Sequence, residues 1–360
     1  MSKIKLFDPY IDKSENIAVK RVLESHFWAS GAGSGEVEKF ENKFLKYINS
    51  KSCVAVNSGT AALNLALSIY DIKNKEVILP SLSFVATANA ILENGGIPKF
   101  VDIDENTLCM DPKKISKLIS NKTKVILPVH FGGISSNLTE ISKLCKDNKI
   151  HLIEDAAHAA GTTYNNNKIG SHGDLVCFSF HPVKNLAMPT GGLISINSKN
   201  YKKIEKTLKE KRWCGITNRN GVNYDVKNIG WNYYMNEFSA AIGLEQLKKL
   251  NHTNNIRKEI AKTYSKKILI EKKMSFDNQC SYHFYWIRVK NRDEFREKLL
   301  EKGIETGIHY KPIHTFSLYK SKIKLPITEK ISKEIVTLPT HPNITKQDLK
   351  KVIKTVNEFI

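Results

Sequence analysis

Two carboxylates and a lysine lie where neighbouring strands of an α/β sheet are expected to end. Glu154 and Asp155 end the apolar segment that starts at His151, and Lys184 lies just beyond the apolar segment 175–180. The carboxyl ends of parallel strands open on one edge of a sheet, where ligands bind. A lysine amine can form a Schiff base with an aldehyde. A carboxylate can keep a pyridine nitrogen protonated, so that the ring accepts electrons from a substrate carbanion. These residue types therefore indicate pyridoxal phosphate (PLP) chemistry.

Only one of the two carboxylates can face that edge of the sheet. Side chains alternate between the two faces of a strand, so Glu154 and Asp155 must point to opposite sides. His130 ends an earlier apolar segment near the same edge. A single histidine at the end of a strand is more often structural, and we assign it no catalytic role.

A strand at 53–56 is followed by a tight turn and then by a helix at 61–67. Ser58, Gly59 and Thr60 form the turn, and the first backbone N–H groups of the helix have no partner inside it. Such unpaired N–H groups are a ready site for a phosphate. Taken alone, the turn is better explained as an ordinary helix cap. Together with the lysine and the carboxylate, it favours a phosphate site.

Apolar and amphipathic segments alternate through the first 250 residues. Strands separated by helices indicate βαβ units and a parallel sheet with right-handed crossovers. We predict strands at 77–80, 99–103, 124–130, 151–154 and 175–180, and helices at 15–25, 36–48, 111–119 and 137–148.

The composition changes after residue 250, where the chain becomes rich in lysine. We predict a helix at 256–269, a strand at 281–289, and helices at 292–302 and 345–359. The chain is therefore expected to form two domains. A large α/β domain covers residues 1–250, and a smaller α+β domain covers residues 251–360.

The motifs, in their order and spacing, resemble those of the DegT/DnrJ/EryC1 family of sugar aminotransferases, a branch of the fold-type I PLP enzymes. The resemblance is carried by EDAAHA and FSFHPVKN around the carboxylates and the lysine, NSGTAAL at the turn, SFVATANAI at 83–91, and GWNYYMNEFSAAIGLEQL at 230–247. It implies a large domain with a mostly parallel central sheet. It also implies that the N-terminal segment lies over the active site.

The resemblance assigns roles to the lysine and to one of the carboxylates. Lys184 forms the Schiff base with PLP, and Asp155 rather than Glu154 pairs with the pyridine nitrogen. Some members of the family carry histidine in place of this lysine and are sugar dehydratases, so Lys184 implies transamination. Its amine then moves the proton between the donor Cα and the cofactor.

Further contacts with the cofactor are implied in the same way. Phe84 covers the ring, although composition alone would place this residue in the core. His158 reaches the ring hydroxyl or stacks near it. Ser179 and the turn residues 58–60 bond the phosphate. Asn232 reaches a phosphate across a dimer interface.

His309 and Tyr310 lie in GIHYKPIH, which resembles the family's substrate-facing segment. We take them as substrate contacts, although by residue type alone they are polar groups of a surface loop. Two positions depart from the family pattern. Tyr234 stands where arginine is common, and the turn MPTGG at 188–192 lacks the acidic residue of the family's GEGG-like turn. Both glycines remain, so the turn can form.

The activity implied by the resemblance is transfer of an amino group from an amino acid to a keto group of a nucleotide-linked sugar. The donor is glutamate by family analogy, and the enzyme is a homodimer with shared active sites. A keto-inositol, or another cyclic ketone without a nucleotide, is the alternative substrate.

The net charge of +20 raises the alternative of a non-catalytic basic binding protein. The lysines lie in helical stretches interleaved with glutamate, and the sequence contains no RNP-like or helix-turn-helix signature. We therefore predict no nucleic-acid partner.

Signals for membrane insertion or export are missing from the sequence. No apolar run approaches the length of a membrane span, and MSKIKLFDPYIDKSEN lacks the apolar core of a signal peptide. The six cysteines are scattered without a CxxC pair, which favours reduced thiols. We predict a cytoplasmic protein without membrane contact, and we assign no metal ligand.

Overall fold

The centre of the molecule is a seven-stranded sheet. The computed structural model describes residues 3–319 and 322–360. The strands are β1 (Ser52–Val56), β2 (Glu76–Pro80), β3 (Ile97–Val101), β4 (Thr123–Ile126), β5 (His151–Asp155), β6 (Thr163–Tyr164), β7 (Asn167–Lys168), β8 (Leu175–Ser179), β9 (Gly192–Ile196), β10 (Ile216–Asn220), β11 (Asn223–Val226), β12 (Tyr285–Arg288) and β13 (Ile335–Leu338). The order in the large sheet is β1-β9-β8-β5-β4-β2-β3, and β6–β7, β10–β11 and β12–β13 form two-stranded pairs.

Most neighbours in the large sheet run parallel. β3, β2, β4, β5 and β8 form one parallel ladder, whereas β9 pairs antiparallel with both β8 and β1. The central strands are short apolar runs, as expected when helices cover both faces of a sheet. The predicted α/β fold with a mostly parallel sheet is confirmed. β9 is not among the predicted strands, because its two leading glycines favour a turn.

The order of the strands brings the predicted reactive residues to one edge. β5 lies in the middle of the sheet and pairs in parallel with β8, with Asp155 opposite Cys177. Asp155 is therefore the last residue of a central strand, and Lys184 follows the end of the adjacent strand. Both residues lie at the carboxyl edge of the sheet, as the sequence predicted.

Helices pack around the sheet, and side-chain caps define where several of them begin. The helices are α1 (Lys13–Ser25), α2 (Glu36–Ile48), α3 (Gly59–Leu67), α4 (Ala86–Glu93), α5 (Pro112–Leu118), α6 (Leu138–Asn148), α7 (Tyr201–Lys211), α8 (Glu237–Lys267), α9 (Arg292–Glu301), α10 (Pro326–Glu334) and α11 (Lys346–Glu358). The Ser58 hydroxyl caps α3 by accepting a hydrogen bond from the Ala61 N–H at 3.1 Å. Among the helices in residues 3–319 and 322–360, none combines the length and the apolar character that crossing a bilayer requires.

One 31-residue helix, α8, joins the large sheet to the C-terminal part of the chain. The sequence pattern predicted a separate helix from residue 256 instead. The predicted domain boundary at residue 250 falls inside α8, and the division into two domains stays a prediction. Tyr264 of α8 belongs to the same buried cluster as Trp286 of β12 and Val352 of α11. The C-terminal elements therefore build their core on the second half of this helix.

A buried ion pair ties β1 to the N-terminal segment. Arg212 is fully buried, and its guanidinium donates to Glu41 Oε1 at 2.7 Å, to the Ala55 carbonyl at 2.9 Å and to the Ala32 carbonyl at 2.9 Å. The glycine-rich segment 30–35 therefore packs against Arg212 of its own chain. Its expected position over an active site stays a prediction.

We expect Arg212→Met to lower the free energy of unfolding by about 3–5 kcal/mol, because it leaves the buried Glu41 carboxylate without its cation. Lys20→Met is the control, since it removes an exposed lysine that pairs with the exposed Glu24. Its cost should be at most about 1 kcal/mol. Urea unfolding of both variants measures the difference. Equal losses of unfolding free energy in the Arg212 variant and the control would contradict the stabilising role of the buried ion pair.

Candidate active site

A cavity of about 310 Å³ opens at the carboxyl edge of the sheet, beside the ends of β5 and β8. Its volume lies at the lower end of the range found for small-ligand sites. The predicted site residues that line it are Ser58, Gly59, Thr60, Phe84, Asp155, His158, Ser179, Lys184 and Tyr310.

Asp155 presents a buried carboxylate to this cavity. The Thr87 hydroxyl donates to its Oδ2 at 2.9 Å, and the Ala157 N–H donates to its Oδ1 at 3.1 Å. Burial raises the pKa of Asp155, while these two hydrogen bonds and the nearby Lys184 ammonium act in the opposite direction. The site thus holds a carboxylate in a fixed orientation and in a place where a further cation would stabilise it.

Lys184 reaches the same cavity from the loop that follows β8. Its backbone N–H donates to the His181 carbonyl at 2.8 Å, which closes a tight turn. Burial of the amine lowers the pKa of Lys184 to about 8, and the Asp155 carboxylate opposes this shift. A pKa of about 8 leaves roughly a tenth of the amine uncharged at pH 7, far more than in an exposed lysine, and this uncharged form is the one that a nucleophile or a base requires.

One end of the cavity combines a helix N-terminus with two hydroxyl side chains. Gly59 begins α3, and the N–H groups of its first turn have no partner within the helix. A Cβ at Gly59 would lie only 2.6 Å from the Cβ of Ser179, so glycine is needed where α3 approaches β8. Thr60 and Ser179 also line this end. Backbone N–H groups and hydroxyls in this arrangement suit a phosphate.

Phe84 is 57% exposed and lies at the cavity, so the placement in the core that composition alone favoured is wrong. Its ring centroid lies 6.0 Å from that of Tyr310.

Thr190 lies in the turn that lacks the family's acidic residue. Its hydroxyl donates to the Asn57 carbonyl, which ties this turn to the turn before α3.

His158 and Tyr310 meet inside the cavity, with the Tyr310 hydroxyl 3.1 Å from His158 Nε2. His309 does not face the cavity in the same way. Its Nδ1 lies 2.9 Å from the Thr337 hydroxyl, and its ring stacks on Phe284 at 4.6 Å. A direct substrate contact by His309 stays a prediction.

Asn232 is not among the residues of its own chain that line the cavity. It is exposed, and its carbonyl accepts a hydrogen bond from Asn57 Nδ2 at 3.2 Å. Tyr234 is half-buried nearby and is likewise not among the cavity-lining residues. The contact of Asn232 with a phosphate therefore stays a prediction.

Thr87 is the site residue that sequence reasoning missed. It is the second residue of α4 and lies three residues after Phe84, and both residues line the cavity. The other carboxylate, Glu154, points away from the cavity, as strand alternation predicts. Its Oε2 lies 2.8 Å from Nε2 of the fully buried His130.

Throughout residues 3–319 and 322–360, no group of three or more His, Cys, Asp or Glu side chains is arranged to hold a metal ion.

Comparisons with known proteins identify relatives along almost the whole chain. The model of the DegT/DnrJ/EryC1/StrS aminotransferase family matches residues 9–357. The spore coat polysaccharide biosynthesis protein SpsC of Bacillus subtilis is 33% identical over 375 residues, which cover 98% of this chain and 96% of SpsC.

Solved structures of two related proteins superpose on nearly the whole chain. PseC of Helicobacter pylori, an aminotransferase of pseudoaminic acid biosynthesis, has a TM-score of 0.94 at 28% identity and covers 99% of both chains. Spr1654 of Streptococcus pneumoniae in its PLP form has a TM-score of 0.94 at 25% identity, with 99% of this chain and 98% of that chain covered.

In the protein without a bound cofactor, we expect Asp155→Asn to raise the melting temperature at pH 8. The folded-state pKa of Asp155 lies above its unfolded value, so its contribution to stability is present at acid pH and is lost as the pH rises through the folded-state pKa. Asparagine carries no charge, so the variant avoids the free-energy cost of burying an ionised carboxylate at pH 8.

The gain in melting temperature of Asp155→Asn should shrink as the pH falls towards 4, because the Asp155 carboxyl of the folded wild type is then increasingly protonated. Thermal unfolding at both pH values measures it, with the exposed Asp225→Asn as control. A lower melting temperature for Asp155→Asn at pH 8 would refute the raised pKa.

Proposed function

Because this chain belongs to the DegT/DnrJ/EryC1/StrS aminotransferase family, we propose that it transfers an amino group from glutamate to the keto group of a nucleotide-linked sugar. The observation that carries this proposal is the shared cavity at the carboxyl edge of the sheet. A buried carboxylate, Asp155, and a lysine of lowered pKa, Lys184, both line it.

Pyridoxal phosphate is the cofactor, as relatives solved in PLP and PMP forms indicate. When bound, it supplies an electron sink for the carbanion that forms at the substrate. The cavity fits such a group. Asp155 is a buried carboxylate that a ring cation would stabilise, Lys184 offers an amine, and Ser179 with the start of α3 suits a phosphate.

The two reactive side chains have distinct tasks. Lys184 would hold the cofactor through Nζ, and its free amine would take a proton from the Cα of the amino-acid donor. A pKa of about 8 suits this base, because it lies close to the operating pH. Asp155 keeps the ring nitrogen protonated, since opposite charges stabilise each other in a buried site. Thr87 and the Ala157 N–H hold the carboxylate in place.

The sugar substrate is supported by the relatives rather than by a binding site seen here. PseC acts in pseudoaminic acid biosynthesis, and SpsC is named for polysaccharide biosynthesis. Both descriptions favour a sugar over a keto-inositol.

The assembly and the location follow as parts of the same proposal. We propose a cytoplasmic homodimer in which the exposed Asn232 of one chain reaches the phosphate site of the other. Tyr310 is proposed on the substrate side of the cavity, and Phe84 against the cofactor ring. His309 is proposed as a further substrate contact from outside the described cavity lining.

We expect Lys184→Ala to reduce turnover by about 10²–10⁴-fold or more, because it removes both the amine that holds the cofactor and the base. The purified wild-type protein with PLP should show a visible absorption band that glutamate bleaches. The variant should lose this response. Lys199→Ala, at an exposed lysine that follows β9, should behave as wild type. Full turnover in Lys184→Ala would exclude its assigned role.

The substrate class is tested by incubating the enzyme with glutamate and a panel of ketones, read by mass spectrometry. We expect the mass change of a ketone-to-amine conversion with nucleotide-linked keto sugars. Keto-inositols should react at least about 10²-fold more slowly, since they lack the nucleotide whose binding energy contributes to the transition state. Faster reaction of a keto-inositol would reverse the assignment of the substrate.

A further inference from the structure

Both ring nitrogens of His158 are occupied by groups of the protein. The backbone N–H of Gly132 lies 3.3 Å from Nδ1, and the Tyr310 hydroxyl lies 3.1 Å from Nε2. A backbone N–H can only donate, so Nδ1 is the acceptor and carries no proton. In a neutral imidazole the proton then lies on Nε2.

The charge state of His158 agrees with this hydrogen-bond pattern. The residue is only 5% exposed, and burial together with the nearby Lys184 ammonium holds its pKa well below the usual range. His309 and His130 act on it in the same direction. A neutral imidazole with its proton on Nε2 is therefore the form present near neutral pH.

This tautomer determines the direction of the hydrogen bond to Tyr310. The Nε2–H of His158 donates, and the Tyr310 oxygen accepts. The proton of the Tyr310 hydroxyl is not used in that bond, and the tyrosine lines the cavity. Burial and the Asp155 carboxylate raise the pKa of Tyr310, so the hydroxyl keeps its proton.

The imidazole is also held in place by its neighbours. The ring of His283 stacks on His158 at 4.5 Å, and the ring of Phe284 packs against its edge at 5.3 Å. Turning the ring towards a ligand would break both hydrogen bonds and this packing. His158 is thus poorly placed to bond the ring hydroxyl of the cofactor directly, which is one of the two roles expected from the sequence. The alternative, that His158 stacks near the ring, stays a prediction.

We propose that His158 is a positioning residue that directs the hydroxyl proton of Tyr310 into the cavity, where Tyr310 donates a hydrogen bond to an oxygen of the bound substrate or cofactor. The acceptor is either a carbonyl oxygen of the substrate or a phenolate-type oxygen of the cofactor, and a pH titration distinguishes these two acceptors. The proposal rests on the assignment of the cavity as the active site.

A double-mutant cycle on the holoenzyme tests this coupling. Tyr310→Phe should lower kcat/KM by about 10²-fold, the loss expected for one hydrogen-bond donor in an active site. His158→Leu should cause a similar loss in the wild-type background. In the Tyr310→Phe background the same change should cost less than about 3-fold, because its effect passes through the missing hydroxyl.

A conservative variant distinguishes this positioning role of His158 in the hydrogen bonds to Gly132 and Tyr310 from a purely structural role. In His158→Gln, the amide oxygen can accept from the Gly132 N–H and the amide N–H can donate to Tyr310. It should recover about 10-fold or more of the loss seen with leucine. His252→Leu, at an exposed histidine, is the control for the substitution itself. Thermal unfolding checks each variant, and His158→Met replaces His158→Leu if the leucine variant does not fold.

The pH titration of the visible absorption of the holoenzyme identifies the acceptor oxygen. If Tyr310 bonds a cofactor oxygen, Tyr310→Phe should shift the midpoint of the titration. If it bonds the substrate, the midpoint should stay and kcat/KM for the ketone should fall. Either result supports the proposal.

Additive losses in the double variant, or a glutamine variant as impaired as leucine, would overturn the coupling. Tyr310→Phe with wild-type kinetics and titration would overturn the donor role. In those cases the wild-type enzyme still transaminates, and only this inference fails. A wild-type protein that binds no PLP would instead refute the proposed function and this inference together.

Discussion

The site depends on a carboxylate that the fold keeps away from water. A buried carboxylate is costly unless hydrogen bonds or a cation stabilise it. Asp155 receives one hydrogen bond from Thr87 and one from the Ala157 N–H, and burial still raises its pKa. The protein therefore maintains a group that gains stability when a cation binds beside it. The same burial lowers the pKa of Lys184 and keeps its amine reactive.

The sheet explains how the chain maintains this arrangement. Asp155 ends the central strand β5, and the adjacent parallel strand β8 leads into the turn that carries Lys184. Behind the strand, Glu154 and His130 form a fully buried pair that fixes the face opposite the cavity. The start of α3 lies against Ser179 at the other end of the same edge. Strand order, rather than any single loop, sets the separation of the reactive groups.

The sequence predicted the parts of the site that follow from periodicity and strand ends. The alternation of side chains along β5 separates Glu154 from Asp155, and the turn at Ser58 predicts a helix after it. That helix, α3, begins at Gly59 rather than at the predicted residue 61. Strand β9 and the continuity of helix α8 were missed, because a glycine at a strand start and the asparagine-rich stretch 251–255 inside a helix give weak local signals. The Thr87 contact was also missed, since it joins residues 68 positions apart. Such pairings depend on the assembled tertiary structure.

The central claim is that Asp155 stabilises a positive charge on the ring nitrogen of the cofactor. The most direct measurement is the ¹⁵N chemical shift of the holoenzyme prepared with PLP labelled at the ring nitrogen. At pH 8 we expect the shift of a protonated nitrogen in the wild type, and the shift of an unprotonated nitrogen in Asp155→Asn. An unprotonated ring nitrogen in the wild-type holoenzyme would contradict the account.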